Sequence, residues 1–161
     1  GLGYPGGPII DRISRDYTGE FFDLPRPRIK NSQYDMSFSG LKTAVVQLIK
    51  KHETLDEKSV AKIAASFQDA ALDCLVSRIK RLDEEESLPF VVCGGVAANS
   101  RLKAKLADLS IQNLLIPAIR YCTDNAAMVG RLAVEMQKRG KVANLDIPVY
   151  SSFSLSQVGK S

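Results

Sequence analysis

Residues 91–102 read VVCGGVAANSRL, an apolar run that meets two adjacent glycines, Gly94 and Gly95, and then Asn99 and Ser100 ahead of a charged segment. The pattern predicts a buried strand, a tight turn and a helix. The strand part, PFVVC from residue 89, is apolar on both alternations, as in a parallel sheet with both faces covered. A helix over about 100–109 and a second short apolar run, NLLIP at 113–117, complete a strand, helix, strand unit, which implies parallel pairing. Ligands of such sheets gather beyond the carboxyl ends of the strands, where glycine removes a side chain that would hold a ribose or phosphate away. Helix N-termini favour anions, and Asn99 either caps the helix or turns its amide to a ligand. The plainer reading, a tight turn with Asn99 as a cap, stands level with the nucleotide reading on this stretch alone.

Around that unit the pattern is helix-rich. A second glycine pair, Gly6 and Gly7, lies between Pro5 and Pro8 ahead of a short helix with Ile9, Ile13 and Tyr17 at four-residue spacing and Gly19 as its stop. Two such turns resemble two walls of one cleft, although a structural turn is the commoner meaning of PGGP alone. Residues 20–34, EFFDLPRPRIKNSQY, form a loop long enough to be functional. Leu41, Val45, Leu48 and Ile49 mark an amphipathic helix. A longer one over about 56–82 carries the stripe Val60, Ile63, Ala64, Phe67, Ala71, Leu75, Ile79 and Leu82. A last helix spans about 123–139, with Gly140 as its stop. The sum is an α/β chain with one short parallel strand pair and about five helices, in which the polar residues 151–161 are expected to fray.

Composition narrows the class. With 161 residues, 45% hydrophobic and 25% charged, the chain suits one globular domain. No apolar run reaches the roughly 18 residues of a membrane span, and GLGYPGG lacks the plan of a signal peptide, so the expected location is cytoplasmic with no membrane partner. The chain opens without Met inside a turn, which suggests a piece of a longer protein. Cys74, Cys93 and Cys122 are odd in number and far apart, which supports neither a disulfide framework nor structural zinc. The net charge of +4 comes in clusters: Arg26, Arg28 and Lys30; Lys50 and Lys51; Arg101, Lys103 and Lys105. They hint at a polyanionic partner, although solvated helix faces explain such clusters more often.

Two more motifs bear on chemistry. In YCTDNAAM, residues 121–128, Thr123 or Asp124 can cap the last helix, or Asp124 can be a metal ligand beyond the second strand. One carboxylate does not hold a metal, and His52, the sole histidine, reads as solvated beside two lysines. In SFSGLKTA, residues 37–44, Ser37, Ser39 and Lys42 surround a glycine without matching a P-loop, and Ser39 reads equally well as a cap. No nucleophile and base pair is recognisable.

Together and in order, GYPGGP, DMSFSGLKTA, VVCGGVAANSRL and CTDNAAM resemble the C-terminal half of the TsaD family of tRNA adenosine threonylcarbamoyltransferases, once labelled O-sialoglycoprotein endopeptidases. The resemblance implies that residues 1–150 form the C-terminal lobe part of an actin-like, Hsp70-like (ribonuclease H-like) two-lobed fold. It also implies transfer of threonylcarbamoyl from its adenylate to the adenosine next to the tRNA anticodon, with partner proteins that make or deliver the adenylate. By the same resemblance Gly7, Gly94, Gly95 and Asn99 bind the nucleotide, an ATP or AMP type ligand, and Asp124 is a ligand of one divalent metal, iron ahead of zinc. Met36 departs from the family's Phe in DFSFSG, a volume-tolerant change. The family's paired metal-binding histidines, an earlier glycine-rich phosphate loop and a substrate-binding Asp have no counterpart in this sequence and are expected ahead of Gly1, so the chain by itself is expected to be inactive. A non-catalytic nucleotide-binding or protein-docking module is the rival reading. The endopeptidase label finds no hydrolytic constellation to support it.

Overall fold

The computed structural model describes residues 2–146 apart from 31, 53 and 87; the expectation of a frayed tail at 151–161 lies outside them. Five helices are described: α1 (Gly6–Arg15), α2 (Ser39–Lys50), α3 (Glu57–Glu85), α4 (Ser100–Asp108) and α5 (Ala126–Lys138). Two strands, β1 (Phe90–Val91) and β2 (Leu114–Leu115), pair in parallel with Phe90 opposite Leu114 and Val91 opposite Leu115. The expected helix-rich α/β arrangement with one parallel pair is therefore observed. The chain divides into two compact units, Gly1–Thr123 and Asp124–Ser161.

In the first unit α3 is the central element. The Asp56 carboxylate accepts from the Ser59 N–H at 2.8 Å and starts it, and at the far end Glu86 has left helical geometry. On one side α3 packs Ala70 and Phe67 against α2 and the 20–34 loop, around the fully buried Leu41 and the buried Leu24. On the other side Leu72, Leu75, Val76 and Ile79 meet Leu102 and Leu106 of α4 and Val92, Leu114 and Ile116 of the strand region. Because both sides are covered, burial does not follow the single stripe expected from the sequence. Ala65, Ser66, Gln68, Asp69, Ala70, Leu72 and Cys74 are buried along with Ile63 and Ala64, while Val60, Phe67, Ala71, Leu75, Ile79 and Leu82 are only half-buried.

The 20–34 loop is irregular, as expected, but it is tied down. The Phe22 N–H donates to Ser66 Oγ at 2.8 Å, and Leu24 fills the core beside α2. Gly40 of α2 lies against the loop, where a Cβ would meet Pro27 Cγ at 3.4 Å, an ordinary contact distance. The sheet corrects another expectation. Val92, Leu114 and Ile116 pack inward, whereas Val91 and Leu115 on the opposite alternation are exposed, so the pair buries one face rather than both.

The second unit, over its described residues, is α5 with its caps. Asn125 Oδ1 accepts from the Met128 N–H at 3.1 Å, so the cap is Asn125 and not Thr123 or Asp124. All three residue types suit a cap, and Asn125 is the one directly before the first helical residue. At the other end Gly140 adopts φ +69°. Its N–H bonds Gln137 O at 3.0 Å and the Lys141 N–H bonds Met136 O at 2.9 Å, the paired closure that only a left-handed residue permits. No described helix is long and apolar enough to cross a membrane.

Candidate functional site

β1 hands the chain to Gly94, whose φ of +92° is a conformation open to glycine and strained for any other residue. Gly95 has no such backbone requirement and begins a single 3₁₀ turn, Gly95–Ala98, that buries Ala97 beneath it. A Cβ built on either glycine meets nothing within 4 Å. Gly94 is thus explained by the turn, while Gly95 leaves an open stretch of main chain that packing in this unit does not require.

Asn99 ends the turn and caps α4. Its Oδ1 accepts from the Leu102 N–H at 2.9 Å, and its Nδ2 donates to Gln68 Oε1 of α3 at 3.0 Å. The structure therefore places Asn99 in the capping role, with one amide hydrogen still to spare. The first residue of α4 is held from α1: Ser100 Oγ donates to Asp11 Oδ1 at 2.9 Å and the Ser100 N–H lies 3.5 Å from Asp11 Oδ2. Asp11 thereby supplies the negative charge that a helix N-terminus favours. The anion expected at the start of α4 comes from the chain itself, which leaves the glycine turn as the surface offered to a ligand.

The same clasp brings the second glycine pair to this region. Gly6 and Gly7 are not a turn ahead of α1 but its first two residues, after Pro5, and no side-chain cap satisfies that end. Gly7 precedes Asp11 by four residues, hence lies on the same face of α1, one turn beyond the contact with Ser100. A Cβ at Gly6 or Gly7 also meets nothing within 4 Å. Uncapped N–H groups on α1 and bare main chain at Gly95 suit a sugar and phosphate better than an apolar ligand. Asp124, the expected metal ligand, belongs to the second unit and is exposed. Among the described residues no three His, Cys, Asp or Glu gather to hold a metal ion.

Beneath this wall lies an ion network that sequence patterns did not reveal. Asp69, 7% exposed, accepts from Arg101 Nη2 at 2.6 Å, Lys105 Nζ at 2.8 Å and Arg26 Nη2 at 3.1 Å. Asp73 accepts from Lys105 at 2.5 Å and Arg26 at 2.6 Å. Burial pushes the Asp69 carboxyl up, but hydrogen bonds from Lys105 and Arg101 outweigh it and hold the group below the usual carboxylate range. The hydrogen bond to Asp73 raises Arg26 further. Part of the clustered basic charge is thus used internally: Arg26, Arg101 and Lys105 bind α3 rather than a partner. The one sequence signal for this was a run of polar residues, Gln68 and Asp69, inside an otherwise core-facing stretch.

The other candidates settle into structural roles. Ser39 is the first helical residue of α2 after Phe38, which provides no side-chain cap, so the expected Ser39 cap is absent. His52 is half-buried, with its ring edge-on to Phe22 at 6.2 Å, and not simply solvated. The cysteines are free; Cys74 and Cys122 are buried, and burial raises the Cys74 thiol, which argues against a nucleophile there.

The sequence pattern of the TsaD family, described as tRNA N6-adenosine threonylcarbamoyltransferase, matches residues 1–131. The chain is 40% identical to the protein of that name from Fervidobacterium nodosum, over 96% of this chain and 48% of the relative. It is 43% identical to the one from a Picosynechococcus species, over 98% and 47%, and 43% identical to the one from Thermotoga neapolitana, over 87% and 43%. The chain spans about half the length of the curated relatives it matches. With the glycine wall, the parallel pair and the helix order all present, the chain belongs to the TsaD family, whose fold is the actin-like one.

Proposed function

We propose that the natural protein carrying this chain transfers a threonylcarbamoyl group from its mixed anhydride with AMP to the exocyclic amine of the adenosine next to the anticodon of a tRNA. The observation that supports this reading is the family match over residues 1–131, which includes every glycine of the wall. In this step the amine nitrogen attacks the carbamoyl carbonyl carbon. A C–N bond forms, the C–O bond to the AMP phosphate breaks, AMP leaves with the electron pair, and the amine gives up a proton to solvent or a base.

Neither partner is strongly reactive, so positioning and stabilisation of charge on oxygen carry the acceleration. In this reading Gly7, Gly94 and Gly95 admit the AMP moiety against main chain, and the spare amide hydrogen of Asn99 is the side-chain donor beside it. Asp11 and Gln68 act through α4 and Asn99, as positioning residues. The reading also calls for partner proteins that make or deliver the adenylate, and for a cytoplasmic location, where the tRNA is.

A divalent metal, iron ahead of zinc, belongs to the same proposal with Asp124 as one ligand. The described residues do not by themselves fit a metal, since no second and third ligand gather among them, and no step above depends on one. Metal analysis of the natural protein tests the assignment: Asp124→Ala should lower bound iron well below one per subunit, and an unchanged content would remove Asp124 from the ligand set.

The transferase reading is tested by incubating the natural protein and its partners with threonylcarbamoyl-AMP and unmodified tRNA, then analysing nucleosides by mass spectrometry. Threonylcarbamoyladenosine should form, and less of it with Asn99→Ala. Nucleotide binding without any transfer would overturn the reading in favour of a non-catalytic binding module.

A further inference from the structure

Past Arg26 a groove of about 500 Å3 lies between the loop and α3. Arg28 and Lys30 line it from the loop, Arg78 and Arg81 from α3, and no carboxylate is among its lining residues. The charges there are poorly matched. Arg28 and Lys30 are exposed and have no ion-pair partner among the described residues. Arg81 Nε reaches Glu85 only at 4.0 Å, and that carboxylate also accepts from the Tyr34 hydroxyl. Arg78 donates to neutral acceptors, Ser77 Oγ at 3.0 Å, Cys74 O at 3.4 Å and Asp35 O at 3.5 Å. Its Nε is shielded from solvent with no acceptor, the one such side-chain atom found among the described residues.

This is the opposite of the Asp69 network, where each cation has a carboxylate at 3.1 Å or less. Like charges around one cavity repel, and an anion that enters relieves the repulsion. Guanidinium forks on two facing elements suit phosphate, which they bind in pairs of parallel hydrogen bonds. The volume suits a ligand the size of a nucleotide. We propose that this groove binds the phosphodiester backbone of the tRNA, with Arg28, Lys30, Arg78 and Arg81 as its phosphate contacts. The proposal rests on the transferase reading for the identity of the RNA.

The test measures binding of an unmodified tRNA transcript to the natural protein as a function of salt. The variants are Arg28→Gln with Lys30→Gln, Arg81→Gln, and Lys50→Gln with Lys51→Gln as a pair of exposed cations outside the groove. Each phosphate contact contributes about 0.7–0.9 to the slope of log affinity against log salt, so the Arg28 and Lys30 pair should flatten it by about 1.5 and Arg81 by about half of that. The KM for tRNA should rise in step, and the Lys50 and Lys51 pair should change the slope far less. A slope unchanged in the groove variants, or flattened equally by both pairs, overturns the groove assignment while the transferase reading stands. A wild-type protein that neither binds nor modifies tRNA overturns both.

Discussion

Replacing Asp69 with Asn keeps the shape of a buried side chain and deletes the charge on which Arg26, Arg101 and Lys105 converge. Loss of one partner from a buried pair costs about 3–5 kcal/mol when the remaining charge stays dry. Two features reduce that figure. Arg26 and Lys105 keep Asp73, and the cations are partly open to water, with Arg26 43% and Arg101 39% exposed. Arg101 alone is left without a carboxylate, so the expected loss is about 2 kcal/mol, read by urea denaturation of the natural protein. Asp73→Asn, at a site 30% exposed and with Asp69 still in place, should cost less than about 1 kcal/mol. The acid limb gives a second reading. A carboxyl held below its ordinary value contributes stability that is complete above about pH 4 and fades as pH falls toward the folded value. The wild type should therefore lose stability below about pH 4 more steeply than Asp69→Asn does. Equal costs for the two Asn variants, or an Asp69→Asn loss below about 0.5 kcal/mol, would refute the view that Asp69 organises this network.

Two further outcomes follow from the same packing. Leu41→Ala empties a fully buried position between α2, α3 and the loop and should cost about 3–4 kcal/mol in urea denaturation, whereas Ile49→Ala on the exposed side of α2 should cost under about 1 kcal/mol. A thiol reagent at neutral pH should label Cys93 in the folded protein and reach Cys74 and Cys122 only on unfolding; early labelling of Cys74 would contradict its burial and raised thiol pKa.

What the sequence made legible is local. Periodicity located α2, α3 and α4 to within a few residues, and Gly140 was identifiable as a stop because a left-handed residue there closes α5. Gly94 and Gly95 were legible only as a pair after an apolar strand, and the left-handed backbone at Gly94 alone was not. What was hidden depends on pairs far apart in the chain. Asp11 meets Ser100 across 89 residues, and Gln68 meets Asn99 across 31, so no window of sequence shows that α4 already has its anion and Asn99 its partner. The basic clusters read alike in sequence, yet Arg26 is consumed by Asp69 and Asp73 while Arg28, two residues later, faces an open groove. The choice among Thr123, Asp124 and Asn125 turned on a single residue of helix register, which propensity does not resolve. The apolar alternation at Val91 and Leu115 suggested a covered face where the structure shows an exposed one.

The most direct test of the glycine wall is a single methyl group at residue 95. Gly95→Ala meets no atom within 4 Å and requires no left-handed backbone, so the fold should tolerate it, unlike Gly94→Ala at φ +92°. Titration of AMP or ATP into the natural protein, with thermal stability measured in parallel, should give a dissociation constant raised at least about tenfold, the equivalent of about 1.4 kcal/mol, at unchanged stability. Wild-type affinity in the folded Gly95→Ala protein would contradict the account, because no nucleotide would then rest on that bare main chain.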